Sequence, residues 1–307
     1  MISRNATILT PPFAVASGGE ATLGDYFALL KPRVMSLVVF TGVVGMALAP
    51  GHIHPVLGLI AILCIAMASG GSGAVNMWYD RDIDAVMQRT AGRPIPSGKI
   101  APHEAIEIGS MLILASVGLM GLATNWAAAA LLGFAAAFYI FVYTMGLKRR
   151  TPQNIVIGGA AGAFPPMIGW VAVTGDVSWM PVILFLLIFF WTPPHFWALA
   201  LYRSGDYARA GVPMLPVVAG ARATKLQMLL YTLALLPLAL APVMMGQAGW
   251  IYGGGAALLG AMFVIHAVRV WFDETERSPR AMFKFSLIYL AGLFALLLID
   301  HWIGAAA

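Results

Sequence analysis

The sequence predicts an all-α, polytopic membrane protein with nine transmembrane helices bundled around a central cavity. Hydrophobic residues make up 60% of the 307 and the mean hydropathy is +0.85, well above the apolar share of a soluble domain. The apolar residues gather in runs that approach the roughly 20 needed to cross a bilayer. The 18 Lys and Arg are confined to alternate gaps between those runs.

In order, the predicted spans are 34–50, 55–77, 106–124, 126–145, 153–173, 179–200, 226–246, 250–271 and 282–303. They are helices because a chain facing lipid must satisfy its own backbone groups, and the runs are too long and too continuously apolar for barrel strands. The cations lie in or beside the N-terminal tail and the loops after spans 2, 4, 6 and 8: Arg4, Lys31 and Arg33; Arg81, Arg89, Arg93 and Lys99; Lys148, Arg149 and Arg150; Arg203, Arg209, Arg222 and Lys225; Arg269, Arg277, Arg280 and Lys284. The loops at the opposite ends contain none. Cytoplasmic loops carry the excess of Lys and Arg, so the N-terminus and the long loops at 78–105 and 201–225 are expected in the cytoplasm and the C-terminus outside. The net charge of +5 is then topological, and without a basic soluble domain no nucleic-acid partner is expected.

Cys64, the only cysteine, lies inside the second span, which leaves no disulfide, CxxC pair or CxxCH haem attachment. Residues 1–25 hold Pro11-Pro12 and Gly18-Gly19 without an uninterrupted apolar stretch, so they make a poor signal peptide and read as a flexible cytoplasmic tail. Residues 26–307 read as one domain. With no Arg-rich transit peptide, a bacterial inner membrane is the expected location.

The chemistry should sit in Asn76-Met77-Trp78-Tyr79-Asp80-Arg81-Asp82-Ile83-Asp84 at the end of the second span, in a chain only 10% charged. Positions i, i+4 and i+8 share one helix face, so Asn76, Asp80 and Asp84 stack along it, and like charges there repel unless a cation lies between them. A hard divalent metal meets that need. A merely solvated helix end is the plain alternative. Against it, Asn76 reaches back into the membrane on the same face, and polar groups at such depth are costly and usually functional. Arg89, Arg93, Lys148, Arg149 and Arg203 also crowd this side. Carboxylates facing cations suit a diphosphate, since Mg²⁺ takes oxygen ligands from one or two carboxylates plus substrate phosphates, and Arg clamps phosphate. No Gly-x-x-x-x-Gly-Lys loop is present, which argues against a nucleoside triphosphatase.

A faint echo relates the two long loops. After span 2, Asp80–Asp84 precedes Gly92-Arg93-Pro94-Ile95-Pro96; after span 6, Tyr202-Arg203-Ser204-Gly205-Asp206-Tyr207 precedes Gly211-Val212-Pro213-Met214-Leu215-Pro216. Both open on the same side, as two converging mouths of a duplicated bundle would. Chance remains the other account, since Gly-x-Pro is ordinary loop punctuation.

The stretch from Asn76 to Asp84, followed by Met87, Arg89-Thr90 and Arg93-Pro94, resembles the first acidic motif of the intramembrane prenyltransferase superfamily. Lys31-Pro32-Arg33, Tyr143 with Lys148-Arg149-Arg150-Thr151-Pro152-Gln153-Asn154-Ile155, Gly159–Pro166, Trp191-Thr-Pro-Pro-His195-Phe-Trp197, and Tyr202-Arg203 with Asp206-Tyr207 resemble its protohaem-farnesylating branch. These matches cover most of residues 31–216 in order. One departure matters: quinone-type members carry a second pair of aspartates four apart, whereas here Tyr202 stands four residues before Asp206. That leaves the second metal position open between Asp206 alone and Arg203.

The resemblance implies farnesyl diphosphate as donor, haem B as acceptor and substrate rather than prosthetic group, and Mg²⁺ held by Asp80 and Asp84, with Asn76 as neighbour and Asp206 as a further ligand. Lys148 and Arg149 would steady the departing diphosphate, with Arg93, Arg89, Arg203, Lys31 and Arg33 binding it. The vinyl group of the haem would be farnesylated and hydrated, giving haem O for terminal oxidase biogenesis, with haem A synthesis or oxidase assembly proteins as partners. His195, Tyr143, Trp191 and Trp197 are candidate contacts for haem or the prenyl chain. For His195 a hydrogen bond stabilising the Pro-interrupted helix is the competing role, and for the Trp residues simple packing. Outside this branch stand a sister prenyltransferase with a phenolic or chlorin acceptor, and a secondary transporter. A transporter would place charges near the midplane, where spans 3, 4, 5, 7 and 9 have none.

Overall fold

The computed structural model describes residues 21–306. Residues 1–20, with Arg4 and most of the expected tail, lie outside the described residues. The last part of that tail is already helical: α1 (Leu23–Leu29) starts with a capping box between Thr22 and Asp25, in which each side chain satisfies the other's backbone N–H.

The long helices are α2 (Pro32–Ala47), α3 (Pro55–Tyr79), α5 (Pro102–Ala123), α6 (Trp126–Ala137, continued by a π-helical segment, Phe138–Leu147), α8 (Ala160–Thr174, preceded by α7, Asn154–Gly158), α9 (Trp179–Tyr202), α12 (Gly220–Met244), α13 (Trp250–Phe272) and α14 (Arg277–Ala306). Short helices α4 (Arg81–Val86), α10 (Ser204–Arg209) and α11 (Leu215–Val218) lie in the two long loops. No strand occurs among the described residues. Eight helices are long and apolar enough to cross a membrane, or nine if α1 and α2, bent 54° apart at Lys31, make one span. Lys31 takes φ 53° there, the one positive φ outside glycine among the described residues. Pro at N1 starts α2, α3 and α5, where its missing N–H has no partner to lose.

Helix packing relies on close backbone approach. A methyl on Gly45 would meet the Pro166 carbonyl oxygen at 2.0 Å, and one on Gly169 the Gly42 oxygen at 2.1 Å, so α2 and α8 cross in near contact. Gly71 and Gly109 do the same for α3 and α5, each facing the other's carbonyl oxygen at 2.7 Å. Small residues at crossings are how helices associate where lipid supplies no hydrophobic drive. Many large apolar side chains remain exposed on the outside, including Leu114, Leu122, Phe141 and Leu258. Trp126, Trp179, Trp250 and Trp302 are exposed at the helix ends remote from the cations, where an interfacial aromatic belt forms. At that same end the Asp300 carboxylate accepts from the backbone N–H groups of Gly249 (2.5 Å) and Tyr252 (3.1 Å), capping α13 from α14.

The two long loops meet at the cation-rich end. Ile83 and Met87 from the first loop share a buried cluster with Ile155 and with Tyr207, Val212 and Met214 from the second loop. Apolar burial therefore fixes one mouth to the other.

Candidate active site

Asn76 sits in the last turn of α3, and the helix is interrupted at Asp80, which ends α3 and begins α4 with φ −88°, ψ 7°. The i→i+4 backbone bonds persist through the break, Asp80 N–H to Asn76 O at 3.0 Å and Asp84 N–H to Asp80 O at 2.8 Å. The three side chains thus stay in succession although the helix turns. Asn76, Asp80 and Asp84 are all buried, Asp80 with no exposure at all.

Each carboxylate has a cation. Lys148 and, at 3.4 Å, Arg149 pair with Asp80; Arg93 pairs with Asp84 at 2.5 Å. Asn76 is held from three sides: its Oδ1 accepts from Lys31 Nζ at 2.8 Å, while its amide donates to Asp80 Oδ2 at 2.8 Å and to Thr144 Oγ1 at 3.0 Å. Buried charges survive only when paired and hydrogen-bonded, because desolvation of a lone one costs several kcal/mol. Asp82 points elsewhere: it is exposed, forms two bonds with Arg149 at 2.6 and 2.7 Å, and that guanidinium holds its carboxyl below the usual range. Arg149 also covers the Tyr79 ring at 5.0 Å.

The π-helical segment delivers Lys148 to Asp80. Thr144 donates to the Tyr139 carbonyl at 2.8 Å and Lys148 N–H to the Tyr143 carbonyl at 2.9 Å, both five residues back. π-helical turns inside a longer helix often mark functional sites. Tyr139 and Tyr143, on the same segment, stack at 5.5 Å. Gly158 lets Tyr143 settle, since a methyl there would lie 2.1 Å from Cδ2 of its ring. Asn154 anchors the far end, donating to the Lys148 carbonyl at 3.2 Å.

The remaining candidates divide. Arg33 and Arg89 are exposed and enter none of the ion pairs among the described residues. Asp206 is buried and engaged by Arg209 and, at 3.8 Å, Arg203, yet its Oδ2 has no hydrogen-bond partner. Among the described residues no three His, Cys, Asp or Glu side chains come together, so Asp206 does not join Asp80 and Asp84 in one acidic cluster. His195 packs between Trp191 (4.4 Å) and Phe283 (4.6 Å), with Nδ1 2.6 Å from Ser286 Oγ. Ser286 Oγ also lies 2.7 Å from the Phe283 carbonyl, to which its hydroxyl can donate. The partner of His195 is therefore a serine on α14, not a carbonyl freed by Pro193 or Pro194. Trp191 donates to the Ser286 carbonyl at 2.8 Å, and Trp197 is fully buried, edge-on to Tyr231. Sequence reasoning quoted Asn154 only within the Lys148–Ile155 stretch and did not single out Thr144, whose one signal is a polar side chain inside an apolar span.

The model of the UbiA prenyltransferase family matches residues 38–288. The chain belongs to this family. Among its relatives, a protoheme IX farnesyltransferase of Parvibaculum lavamentivorans is 58% identical over 295 residues, covering 95% of this chain and 93% of that protein. Another, from Acidiphilium cryptum, is 60% identical over 290 residues, 92% of each. The fold is also that of a UbiA homolog from Archaeoglobus fulgidus bound to DMAPP and Mg²⁺, with TM-score 0.64 and 17% identity over 89% of this chain and 99% of that one. Family and apolar helices together make this a multi-pass membrane prenyltransferase.

Proposed function

We propose that the protein transfers a farnesyl group from farnesyl diphosphate to a vinyl group of haem B, with addition of water, giving haem O for terminal oxidase biogenesis. The observation that carries this is the buried Asn76–Asp80–Asp84 succession faced by Lys31, Arg93, Lys148 and Arg149, in a chain 58% identical to a protoheme IX farnesyltransferase. Nine spans, with the cation-rich end in the cytoplasm of a bacterial inner membrane, complete the reading.

The residues suit a hard divalent ion. Two buried carboxylates and an amide oxygen are the oxygen donors Mg²⁺ selects, with substrate phosphates completing the set. Asp80 and Asp84 would hold it beside Asn76, and Asp206, whose Oδ2 lacks a partner, is the nearest further acid in the second loop. When bound, the metal supplies Lewis-acid stabilisation of the departing diphosphate.

The chain's own residues do the rest. Lys148, Arg149, Arg93 and Lys31 exchange their carboxylate and amide partners for phosphate oxygens, which preorganises positive charge where negative charge develops. The C1–O bond of the donor breaks and its electron pair leaves with diphosphate. The stacked Tyr139 and Tyr143 rings offer π faces to the allyl cation, and the surrounding helices exclude water from it. The vinyl π pair forms the new C–C bond, and water captures the resulting cation and loses a proton, leaving a hydroxyethyl farnesyl substituent.

Incubation of purified protein with farnesyl diphosphate, Mg²⁺ and haem B tests this, and the product is expected at the mass of hydroxyethyl farnesyl haem. Transfer to a phenolic acid with none to haem B would move the protein to the sister class.

A further inference from the structure

Position 202 is where the second acidic motif departs from the quinone-type pattern, and its surroundings show what stands there instead. The Arg280 guanidinium, from the first turns of α14, lies over the Tyr202 ring at 4.4 Å, and Arg203 approaches the same ring at 6.0 Å. Two acids face these cations: Glu276, exposed and paired with Arg280, and Asp206, already engaged by Arg203 and Arg209. A cation near a helix N-terminus works against the helix dipole, and what Arg280 returns to α14 is an exposed i,i+4 pair with Glu276, which is worth little. Topological charge would be met at any rim position, whereas Arg280 sits over the ring of a tyrosine.

Tyr202 is also the outer end of a ladder of rings. It meets Phe283 edge-on at 6.3 Å; Phe283 stacks on His195 at 4.6 Å, and His195 on Trp191 at 4.4 Å. The ladder leads from the charged rim into the bundle between α9 and α14. The diphosphate cations Lys31, Arg93, Lys148 and Arg149 are gathered around Asn76, Asp80 and Asp84, whereas the acid paired with Arg280 is the exposed Glu276, which leaves Arg280 for a different anion.

We propose that Arg280, mounted on Tyr202 and supported by Arg203, is the seat for a carboxylate of the acceptor, the side of a flat aromatic molecule whose apolar body lies toward the ring ladder. This rests on the haem reading above, which supplies an acceptor bearing two propionates. Guanidinium meets carboxylate in two parallel hydrogen bonds, and of its five N–H groups the bond to exposed Glu276 is readily given up.

The test measures kcat and KM for wild type, Arg280→Gln, Arg280→Lys and Glu276→Gln, each with haem B and with its propionate dimethyl ester, at saturating farnesyl diphosphate and Mg²⁺. Arg280→Gln is expected to raise KM for haem B about tenfold or more, leaving kcat and the KM for farnesyl diphosphate within about twofold. The ester should show a raised KM in wild type that the substitution no longer changes. Arg280→Lys should recover part of the loss, and Glu276→Gln, which removes the ion pair but keeps the cation, should not raise KM. An unchanged KM for haem B, or a rise confined to farnesyl diphosphate, overturns the seat while leaving the transferase reading intact. Wild type that makes no product from haem B overturns that reading and the seat with it.

Discussion

The Lys148 ammonium donates to Oδ2 of Asp80, 68 residues away in the chain, on a carboxylate with no solvent exposure. The π-helical segment sets this pair from one side and the end of α3 from the other. A π turn shifts every later residue in register relative to an α-helix, so straightening it would swing Lys148 away from Asp80.

Asp80→Asn and Asp84→Asn are each expected to lower kcat by about a hundredfold to a thousandfold, as loss of a preorganised charge at a reacting centre does. Insertion into the membrane should persist. Asp82→Asn, two residues from either, should lose less than about threefold, because its exposed pair with Arg149 is worth little. Kinetics on the three variants side by side distinguish a shared acidic face from a generic charged rim.

Thr144→Val removes the acceptor that holds the Asn76 amide and the donor to the Tyr139 carbonyl. Leaving a buried polar partner unsatisfied costs about 1–3 kcal/mol. Both the melting temperature and kcat should fall, whereas Thr174→Val, an outer-end change, should leave kcat alone.

Gly45→Ala should destabilise by about 1–3 kcal/mol through overpacking, since its methyl would sit 2.0 Å from the Pro166 oxygen. Gly162→Ala, whose methyl meets nothing within 4 Å, should be neutral or slightly stabilising on helix propensity. Thermal unfolding in detergent reads the difference.

Much of the fold was legible because membrane helices announce themselves through length and apolarity, and every predicted span lies on a helix. The bend at Lys31 was not: nothing in Leu30-Lys31-Pro32 specifies a positive φ at a lysine, although Pro32 does bar the helix from running on unchanged. The acidic face was legible from the spacing of Asn76, Asp80 and Asp84. The break at Asp80 was hidden, because the same i→i+4 bonds continue through it. The π turn was hidden as well, because Phe138–Leu147 has the same apolar character as the α-helix it extends. Arg33 and Arg89 show how far charge counting reaches: it puts them at the cation-rich end of the bundle and does not say which anion each would meet. Ser286 as partner of His195 could not be foreseen, being 91 residues away on a helix with no motif.

The central claim is that Asp80 and Asp84 bind the diphosphate through a divalent ion. Equilibrium binding of farnesyl diphosphate to the purified protein, with and without Mg²⁺, tests it most directly when run on wild type, Asp80→Asn and Asp84→Asn. Binding by wild type that requires Mg²⁺, and that either substitution abolishes, is the predicted result; binding equally tight without the metal and in both variants would contradict it.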